Sequence, residues 1–425
     1  MATPQPDTYS VAAGVRTVRM GIGTPPVVPS NLAALIGDSI TDQGFGVSPW
    51  WWQNGLTGGK LKTLANSGQS GTTPNYWITG IDASYLAAYP GLAGLPALGF
   101  IGCRIGTNNA RGQAIDSTIR AQYDALLVKI LSYGQIALLF SIPPIGGTSI
   151  AYAGNPAGYN TYLQALADAN PTQVKYLDDC APLRNADGSA KDQYFDAAGI
   201  HPNGAGTVLM GIAGAALLAP ILASYGYASP LVTDPADKYP AQPQWVPNAV
   251  NAGTAGTRDG NWTGQVVTGM GLSSTGSTTG VASIVVADVS DANQVPWQRL
   301  TPAQLQAGQR IDLTVPAAGR AITTSDPSTL DQIVQIRFNN FASNALSDIH
   351  WWMQGDAGHR VAQDAVLKIG DIGSALTQTV VLRQSLPRPT AVASAGALIY
   401  MYFPIAATMS SGIGSIDIRC LSARG

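Results

Sequence analysis

Short apolar runs that alternate with helical segments in the first half of the chain restrict its fold most strongly. Leu32–Ile36 and Leu98–Ile105 are such runs, and each is followed by glycine and polar residues. Across 115–131 apolar residues recur every three or four positions, which predicts a helix with Gly134 at its carboxyl-terminal cap. The alternation continues with two strands and two helices, at Ile136–Ile142, Gly158–Ala169, Val174–Leu177 and Val208–Leu222. Strands that alternate with helices form a parallel sheet covered by helices, so we predict an α/β fold.

The second half of the chain has a different pattern, in which helical periodicity nearly vanishes. Five prolines punctuate a polar stretch between Tyr225 and Gly260, which predicts a linker. Seven β-type runs follow, at Val281–Val289, Arg310–Val315, Ile333–Phe338, Ala365–Ile369, Thr377–Arg383, Ala397–Phe403 and Ser415–Cys420. They predict an antiparallel β-sandwich of the jelly-roll kind. We therefore predict an N-terminal extension at 1–30, an α/β domain at 31–226, a linker at 227–260 and a β-sandwich domain at 261–425.

The charge pattern excludes one class of partner. Only 11% of the 425 residues are charged, the formal net charge is −2, and no block of lysine or arginine occurs. The electrostatic attraction that holds a phosphate backbone is therefore missing, and we expect no nucleic-acid partner. Hydrophobic residues make up 45% of the chain, which is enough for sizeable cores.

Two further features predict buried side chains rather than a special function, and a third bears on targeting. Cys103, Cys180 and Cys420 lie far apart without metal-ligand spacing, so we expect buried side chains and neither a metal nor a cofactor. Val208–Leu222 is apolar, but its internal glycines and proline and its lack of flanking basic residues favour a buried helix over a membrane span. No apolar segment follows the first basic residues, so we predict no secretory signal, and the localisation stays open.

Ester hydrolysis by a serine requires a nucleophile, a base and hydrogen-bond donors for the oxyanion. Ser39 stands in Gly-Asp-Ser-Ile-Thr-Asp directly after the first apolar run, where a strand-to-helix turn would present its hydroxyl. Gly71 ends the loop Asn-Ser-Gly-Gln-Ser-Gly, and Asn108 follows a later apolar run. Because active sites of open α/β sheets collect at the carboxyl edge of the strands, all three are candidate site residues.

His201, in Gly-Ile-His-Pro-Asn, is the candidate base. The other two histidines, His350 and His359, lie in the β-rich half at a spacing that matches no common metal site, so we expect structural or surface roles. Taken singly, each candidate also has an ordinary structural interpretation. Ser39 could cap a helix, the glycine loop could be a plain turn, Asn108 could form an Asx-turn, and His201 could be structural.

Together and in this order, the four segments resemble the conserved blocks of the SGNH (GDSL-like) hydrolase superfamily over about 32–225. Its members are serine esterases, lipases, thioesterases and carbohydrate deacetylases on a flavodoxin-like, three-layer α/β fold. The resemblance implies Ser39 as nucleophile and His201 as base, in a mechanism that passes through an acyl-enzyme. It also implies an oxyanion hole formed by Ser39, Gly71 and Asn108. The resemblance does not extend to the C-terminal half.

The chain departs from the family at the residue that orients the histidine. The family usually has an aspartate three residues before the histidine, where this chain has Ala198. Asp196, five residues before His201, is one candidate, provided that the loop bulges. A backbone carbonyl such as that of Ala198 would leave a Ser–His dyad, and a carboxylate from another domain is the third candidate. Each acceptor would fix the imidazole tautomer, but a carbonyl would not stabilise the imidazolium.

Tryptophans bear on the substrate. Near the first two blocks and in the C-terminal half the chain has Trp50, Trp51, Trp52, Trp77, Trp262, Trp297, Trp351 and Trp352. Such rings can stack on sugars, line an acyl pocket or pack a core. Because a β-sandwich is a common form of carbohydrate-binding module, we predict deacetylation of an acetylated glycan, by analogy of fold. The low charge and the β-rich tail would also suit a phage tail component that acts on bacterial surface glycans.

Two other functions stay open. The first half could be a short-chain carboxylesterase or a lipase whose tail is purely structural. The chain could also be a non-catalytic glycan-binding adhesin, an interpretation that the alanine at position 198 favours. Comparing acetyl with longer acyl chains separates the first alternative from deacetylation, and labelling of Ser39 by a fluorophosphonate probe would contradict the second.

Overall fold

The computed structural model describes residues 11–12, 15–16, 28–42, 48–88, 98–152, 154–227, 229, 253–285, 296–316, 329–354, 365–387 and 398–424. The chain divides into two compact units. The first consists of Met1–Asp42, Ala65–His201 and Pro220–Gly226, and the second of Gln43–Leu64, Pro202–Ala219 and Tyr227–Gly425. Most of the predicted extension at 1–30 and of the predicted linker at 227–260 lies outside the described residues, and the predicted domain limits stay predictions.

Secondary structure up to residue 227 contains strands and helices in alternation. In chain order these elements are β1 (Val11–Ala12), β2 (Val15–Arg16), β3 (Leu32–Gly37), α1 (Trp50–Leu56), β4 (Lys62–Asn66), α2 (Pro74–Ala88), β5 (Leu98–Arg104), α3 (Thr107–Ala110), α4 (Ser117–Tyr133), β6 (Gly134–Phe140), α5 (Asn155–Ala169), β7 (Val174–Leu177) and α6 (Gly204–Ser224).

Among the described residues after 253, all the long secondary-structure elements are strands. These are β8 (Ala255–Arg258), β9 (Trp262–Gly264), β10 (Val266–Ser274), β11 (Thr279–Val285), β12 (Trp297–Gln304), β13 (Arg310–Pro316), β14 (Thr329–Asn339), β15 (Asp348–Gln354), β16 (Ala365–Lys368), β17 (Thr379–Pro387), β18 (Leu398–Pro404) and β19 (Ser415–Arg424). The first of them, β8, falls within the span predicted as a linker.

In the first unit, β7, β6, β5 and β3 lie side by side in this order and pair in parallel. β3 and β5 are buried at every residue, as parallel strands with both faces covered are. α4 begins where the Asp116 carboxylate accepts the Ile119 N–H at 2.8 Å. Gly134 follows α4 with an extended backbone (φ −124°), because β6 starts there directly. The predicted α/β fold is confirmed.

The second unit contains two six-stranded groups of strands. One has the order β16-β15-β18-β13-β10-β8, and the other has the order β17-β14-β19-β12-β11-β9. Their pairs are antiparallel apart from β8 with β10 and β9 with β11, which are parallel. The β-rich C-terminal half is therefore confirmed, although two pairs depart from the expected antiparallel arrangement.

Five of these strands were not predicted, namely β8, β9, β10, β12 and β15. β10 contains Gly269 and Gly271, and its residues alternate between buried and exposed. β12 contains Pro302 and is exposed at three of its last four residues. Strands with one solvated face need few apolar residues, so their sequences resemble loops.

The tryptophan rings of the second unit pack against other aromatic rings. Trp51 and Trp351 meet edge to face with their ring centroids 4.8 Å apart, and Trp52 stacks on Phe338 at 5.8 Å. The other described tryptophans, Trp50, Trp77, Trp262, Trp297 and Trp352, are buried as well. Of the three roles that the sequence left open for these rings, the burial of the described tryptophans favours packing of the core.

α6 is long and apolar enough to cross a membrane by length and composition, and 56% of its apolar window is buried within the protein. Gly211 and Gly214 face α1 within the second unit. A Cβ on Gly211 would lie 2.1 Å from the Cβ of Trp52, and one on Gly214 would lie 2.5 Å from the Gln53 amide. The glycines therefore serve close helix packing, as in the core helix of a globular protein.

Candidate active site

The turn after β3 holds Ser39, which is 4% exposed, on a buried hydrogen-bonded frame. The fully buried Asp38 carboxylate accepts the N–H of Ile40 at 3.1 Å and the N–H of Thr107 at 3.2 Å. The Asp38 N–H donates to the Arg104 carbonyl at 3.1 Å. Burial raises the pKa of Asp38 above its ordinary value. These contacts tie the serine turn to the end of β5.

Ser39 lies in hydrogen-bond contact with the candidate base. Its Oγ is 2.8 Å from Nε2 of His201, and Nδ1 of the same ring is 3.0 Å from Oδ2 of Asp196. The His201 side chain is 27% exposed, so solvent reaches the ring. A hydroxyl, an imidazole and a carboxylate connected in this order form the arrangement used for nucleophilic catalysis by serine.

Asp196 stands two residues further from the histidine than the family's usual aspartate. It still reaches the imidazole because the intervening residues form a turn. The Gly199 N–H donates to the Asp196 carbonyl at 2.9 Å, and the Asp196 N–H donates to the His201 carbonyl at 2.8 Å. Gly199 has φ +71°, and a Cβ there would lie 2.0 Å from the Gly146 carbonyl oxygen. Only glycine fits that left-handed position. The loop bulges as one of the sequence alternatives requires.

The Asp196 carboxylate is stabilised in its charged form. Burial raises its pKa, but the N–H of Ile200 at 3.0 Å and the His201 ring outweigh this, and the pKa lies below its ordinary value. The Ala198 carbonyl, the second candidate for the histidine, accepts the Thr148 hydroxyl at 3.5 Å. The structure brings the Asp196 carboxylate to Nδ1.

The glycine loop at 66–71 packs against the serine turn. The Gly37 carbonyl accepts the Gln69 N–H at 2.9 Å and the Trp77 indole N–H at 3.1 Å. A Cβ on Gly68 would lie 2.4 Å from the Asp42 nitrogen, so only glycine allows this approach. Trp77 therefore holds the backbone near Ser39 in place instead of lining a substrate pocket.

Gly71 and Asn108 meet through Thr72. Gly71 is exposed with φ +78°, and the Asn108 side-chain amide donates to the Thr72 carbonyl at 2.9 Å. That bond uses one of the two amide hydrogens. Among the described residues, the N–H groups of Ser39 and Gly71 donate to no protein acceptor. The loop ends thus supply uncharged donors of the kind that stabilise an oxyanion.

A buried ion pair near the site was missed by the sequence reasoning. Arg104 and Asp179, at the ends of β5 and after β7, form a salt bridge with almost no exposed side-chain surface. Ser141 donates its hydroxyl to Asp179 at 3.0 Å. Burial lowers the pKa of Arg104, but Asp179 outweighs it and raises that pKa. The only sequence signal was an arginine at the end of an otherwise apolar run.

The remaining candidates have structural surroundings. Nε2 of His350 lies 2.7 Å from Oδ1 of Asp348, and the ring stacks on Tyr402 with ring centroids 4.2 Å apart, in line with the structural role expected of it. His359 lies outside the described residues. Cys103 and Cys180 are buried free thiols, as expected, while the side chain of Cys420 lies outside them. Across the described ranges no group of three or more metal-ligating side chains occurs.

Among the solved structures that resemble part of the chain are two that each cover less than half of it. An acetylxylan esterase from Geobacillus stearothermophilus is 18% identical with a TM-score of 0.34, over 47% of this chain and 95% of that chain. A G-D-S-L lipolytic protein from Veillonella parvula is 20% identical with a TM-score of 0.34, over 43% and 94%. At this identity and TM-score the likeness says nothing about substrate. No curated protein sequence matches the chain.

A sequence model of the GDSL-like lipase/acylhydrolase family matches residues 35–209. The matched segment begins within β3 and ends within α6, so it contains Ser39, the glycine loop, Asn108 and His201. The β-rich strands after residue 253 lie outside the match. Residues 35–209, about two fifths of the chain, are therefore a GDSL-like lipase/acylhydrolase domain, and carboxylic ester hydrolysis is the activity of that family.

Proposed function

We propose that this esterase removes acetyl groups from a polysaccharide, with Ser39 as nucleophile, His201 as general base and Asp196 as the residue that orients the base. The observation that carries the catalytic part is the contact series from Ser39 Oγ to His201 Nε2 at 2.8 Å and from His201 Nδ1 to Asp196 Oδ2 at 3.0 Å. Three side chains from two distant loops meet there, which ordinary helix capping by a serine does not require.

In the proposed mechanism, His201 Nε2 takes the Ser39 hydroxyl proton while the serine oxygen attacks the ester carbonyl carbon. The N–H groups of Ser39 and Gly71 and the Asn108 amide stabilise the oxyanion. The protonated imidazole gives its proton to the departing alcohol oxygen, which leaves an acetyl-serine. Water then attacks this ester as His201 takes its proton, and release of acetate returns the proton to Ser39.

A short acyl group and a hydrophilic alcohol suit the surroundings of the proposed oxyanion donors. Gln69, Ser70 and Gly71 are all exposed, so this side of the site presents polar groups to solvent. A long acyl chain would need a continuous apolar surface to bury its methylene groups. An acetyl ester on a sugar needs little apolar cover and offers many hydroxyls to a polar rim. The β-rich half supports a glycan substrate by analogy of fold.

Replacing the nucleophile tests the catalytic assignment. Ser39→Ala should abolish turnover of a chromogenic acetyl ester and labelling by a fluorophosphonate, while circular dichroism and the unfolding temperature stay those of the wild type. Serine-protease triads lose about 10⁴-fold or more in such variants. Retained turnover in Ser39→Ala would overturn the assignment.

The substrate assignment needs a separate measurement. We expect acetate release from acetylated xylan or from an O-acetylated bacterial O-antigen, and a steep loss of turnover from acetyl to octanoyl chromogenic esters. Ser39→Ala serves as the matched blank for acetate already present in the glycan. A preference for octanoyl over acetyl would favour a lipase with a structural tail, and would contradict deacetylation.

A further inference from the structure

With the described tryptophans buried, few large aromatic faces are left for a ligand. Among the described residues, the exposed large aromatic side chains are Tyr76 and Tyr152, each 41% exposed. An exposed tyrosine is common on protein surfaces and needs no explanation by itself. Tyr76 differs from an ordinary surface tyrosine in how its ring is held and in where it lies.

Three contacts hold the Tyr76 ring. Its hydroxyl donates to the Gln69 side-chain oxygen at 2.5 Å, and its ring meets Trp77 edge to face with centroids 5.2 Å apart. One side of the ring lies against Gly80, where a Cβ would be 2.8 Å from the ring carbon Cε1. The ring is therefore fixed before any ligand binds, so stacking on it costs little conformational entropy.

The fixed ring adjoins the proposed oxyanion donors. Gln69, its hydrogen-bond partner, lies two residues before Gly71 and donates its own N–H to the Gly37 carbonyl at 2.9 Å. Trp77, the next residue along α2, donates to the same carbonyl at 3.1 Å. Gly37 lies two residues before Ser39. The two residues that hold the ring, Gln69 and Trp77, are thus both hydrogen-bonded to the backbone that carries the nucleophile.

We propose that Tyr76 forms a subsite on which a pyranose ring of the substrate stacks while a neighbouring sugar presents its acetyl ester to Ser39. The axial C–H groups of a pyranose pack well on the apolar face of a tyrosine, and the sugar hydroxyls remain in water. Gln69 and Ser70, which are exposed beside the ring, offer polar partners to those hydroxyls. This inference rests on the proposed function and names the residue that recognises the glycan.

The test compares two substrates in each variant, because only the oligosaccharide has a neighbouring sugar that can occupy the subsite. The substrates are acetylated xylo-oligosaccharides and 4-nitrophenyl acetate, and the readout is the ratio of their kcat/KM values. Tyr76→Ala should lower this ratio about three- to tenfold through KM for the oligosaccharide. Tyr76→Phe keeps the ring but loses its bond to Gln69, and should lower the ratio by less.

Gly80→Ala tests the position of the ring without removing it. The new methyl group would displace the Tyr76 ring from its place against the helix. Alanine is favoured over glycine in a helix, so the unfolding temperature should stay equal or rise while the ratio falls. A loss of specificity together with unchanged or higher stability cannot come from general destabilisation.

Tyr133→Ala is the matched control. Tyr133 is also a tyrosine whose hydroxyl donates to a residue of α2, Asp82, but it lies directly before β6, at the opposite edge of the sheet from Ser39. It should leave the ratio unchanged. If the wild type releases acetate from the oligosaccharides and Tyr76→Ala keeps the wild-type ratio, the subsite is wrong and the proposed function stands. If the wild type hydrolyses 4-nitrophenyl acetate but no acetylated glycan, the glycan function fails and the subsite falls with it.

Discussion

The Arg104–Asp179 pair of the first unit and the Asp417 cluster of the second unit bury their charges to different degrees. In the first unit, Asp38, Arg104 and Asp179 are all fully or almost fully buried beside the serine turn, and each is paired or hydrogen-bonded. In the second unit, Asp417 is buried but its partners Arg299 and Arg337 keep 31% and 26% of their side-chain surface exposed. Burying a charge is expensive even when it is paired. In the first unit the buried charges lie at the ends of strands, where their hydrogen bonds fix the backbone next to the site.

Apolar packing shows the same contrast. The strands of the first unit that carry the site are buried along their length, and hydrogen bonds decide where their ends lie. The second unit relies on rings, such as the pair Trp51 and Trp351, and on glycines that let α6 approach α1. A polar network specifies the direction of each group, whereas ring packing mainly specifies volume. We therefore expect substitutions in the two units to fail differently.

The largest effect should come from Asp196→Asn, which changes the hydrogen-bond network without removing volume. The amide cannot stabilise the imidazolium, so kcat on a chromogenic acetyl ester should fall about 10²–10⁴-fold, with a small but measurable fall in unfolding temperature at neutral pH. Asp187→Asn, an exposed turn carboxylate, is the control and should retain wild-type kcat. A loss below tenfold in Asp196→Asn would mean that a backbone carbonyl suffices to orient His201.

Breaking the two buried ion networks should sharpen the contrast between the units. Asp179→Asn leaves Arg104 buried without its carboxylate and should cost about 3–5 kcal/mol of unfolding free energy. Asp417→Asn should cost less, about 2 kcal/mol, because Arg299 and Arg337 are partly solvated. Calorimetric unfolding of both variants checks the order. An equal or larger loss for Asp417→Asn would contradict this account of the two units.

Close helix packing in the second unit predicts a smaller, steric effect. Gly211→Ala places a methyl group 2.1 Å from the Cβ of Trp52 and should destabilise the protein by about 1–3 kcal/mol. Gly158→Ala, in α5 of the first unit, meets its nearest neighbour at 3.4 Å and should be neutral or stabilise by up to about 1 kcal/mol. Thermal unfolding of the two variants tests this prediction. An unfolding temperature of Gly211→Ala equal to that of the wild type would argue against tight packing between α6 and α1.

The smallest effect is a pH dependence at Asp196. Its pKa in the folded protein lies below the ordinary 3.8, so its contribution to stability is present above pH 3.8 and is lost as the pH falls through the folded value. The difference in unfolding temperature between wild type and Asp196→Asn should stay constant from pH 7 to pH 5 and shrink at pH 3. A difference that grew on acidification would reverse the inferred direction of the shift.

Much of the first unit was predictable because its strands and helices differ in apolar pattern. The predicted runs Leu32–Ile36, Leu98–Ile105 and Val174–Leu177 match β3, β5 and β7 within a residue. In the second unit, strands such as β10 and β12 escaped prediction because glycines, a proline and exposed polar residues interrupt their apolar pattern. An apolar pattern in the sequence indicates which faces of an element are buried. A short, half-exposed strand has too few apolar residues for that pattern to be recognised.

Local sequence by itself predicted Ser39, Gly71 and Asn108 as residues of one site, because each follows an apolar run and the carboxyl ends of parallel strands meet at one edge of a sheet. It also offered His201 as the base. It could not choose between Asp196 and a carbonyl as the partner of His201. Only the tertiary structure decided that contact, because it depends on the left-handed turn at Gly199 packing against Gly146. The burial of the described tryptophans was likewise decided only by the tertiary structure, because the exposure of a ring depends on the residues that surround it.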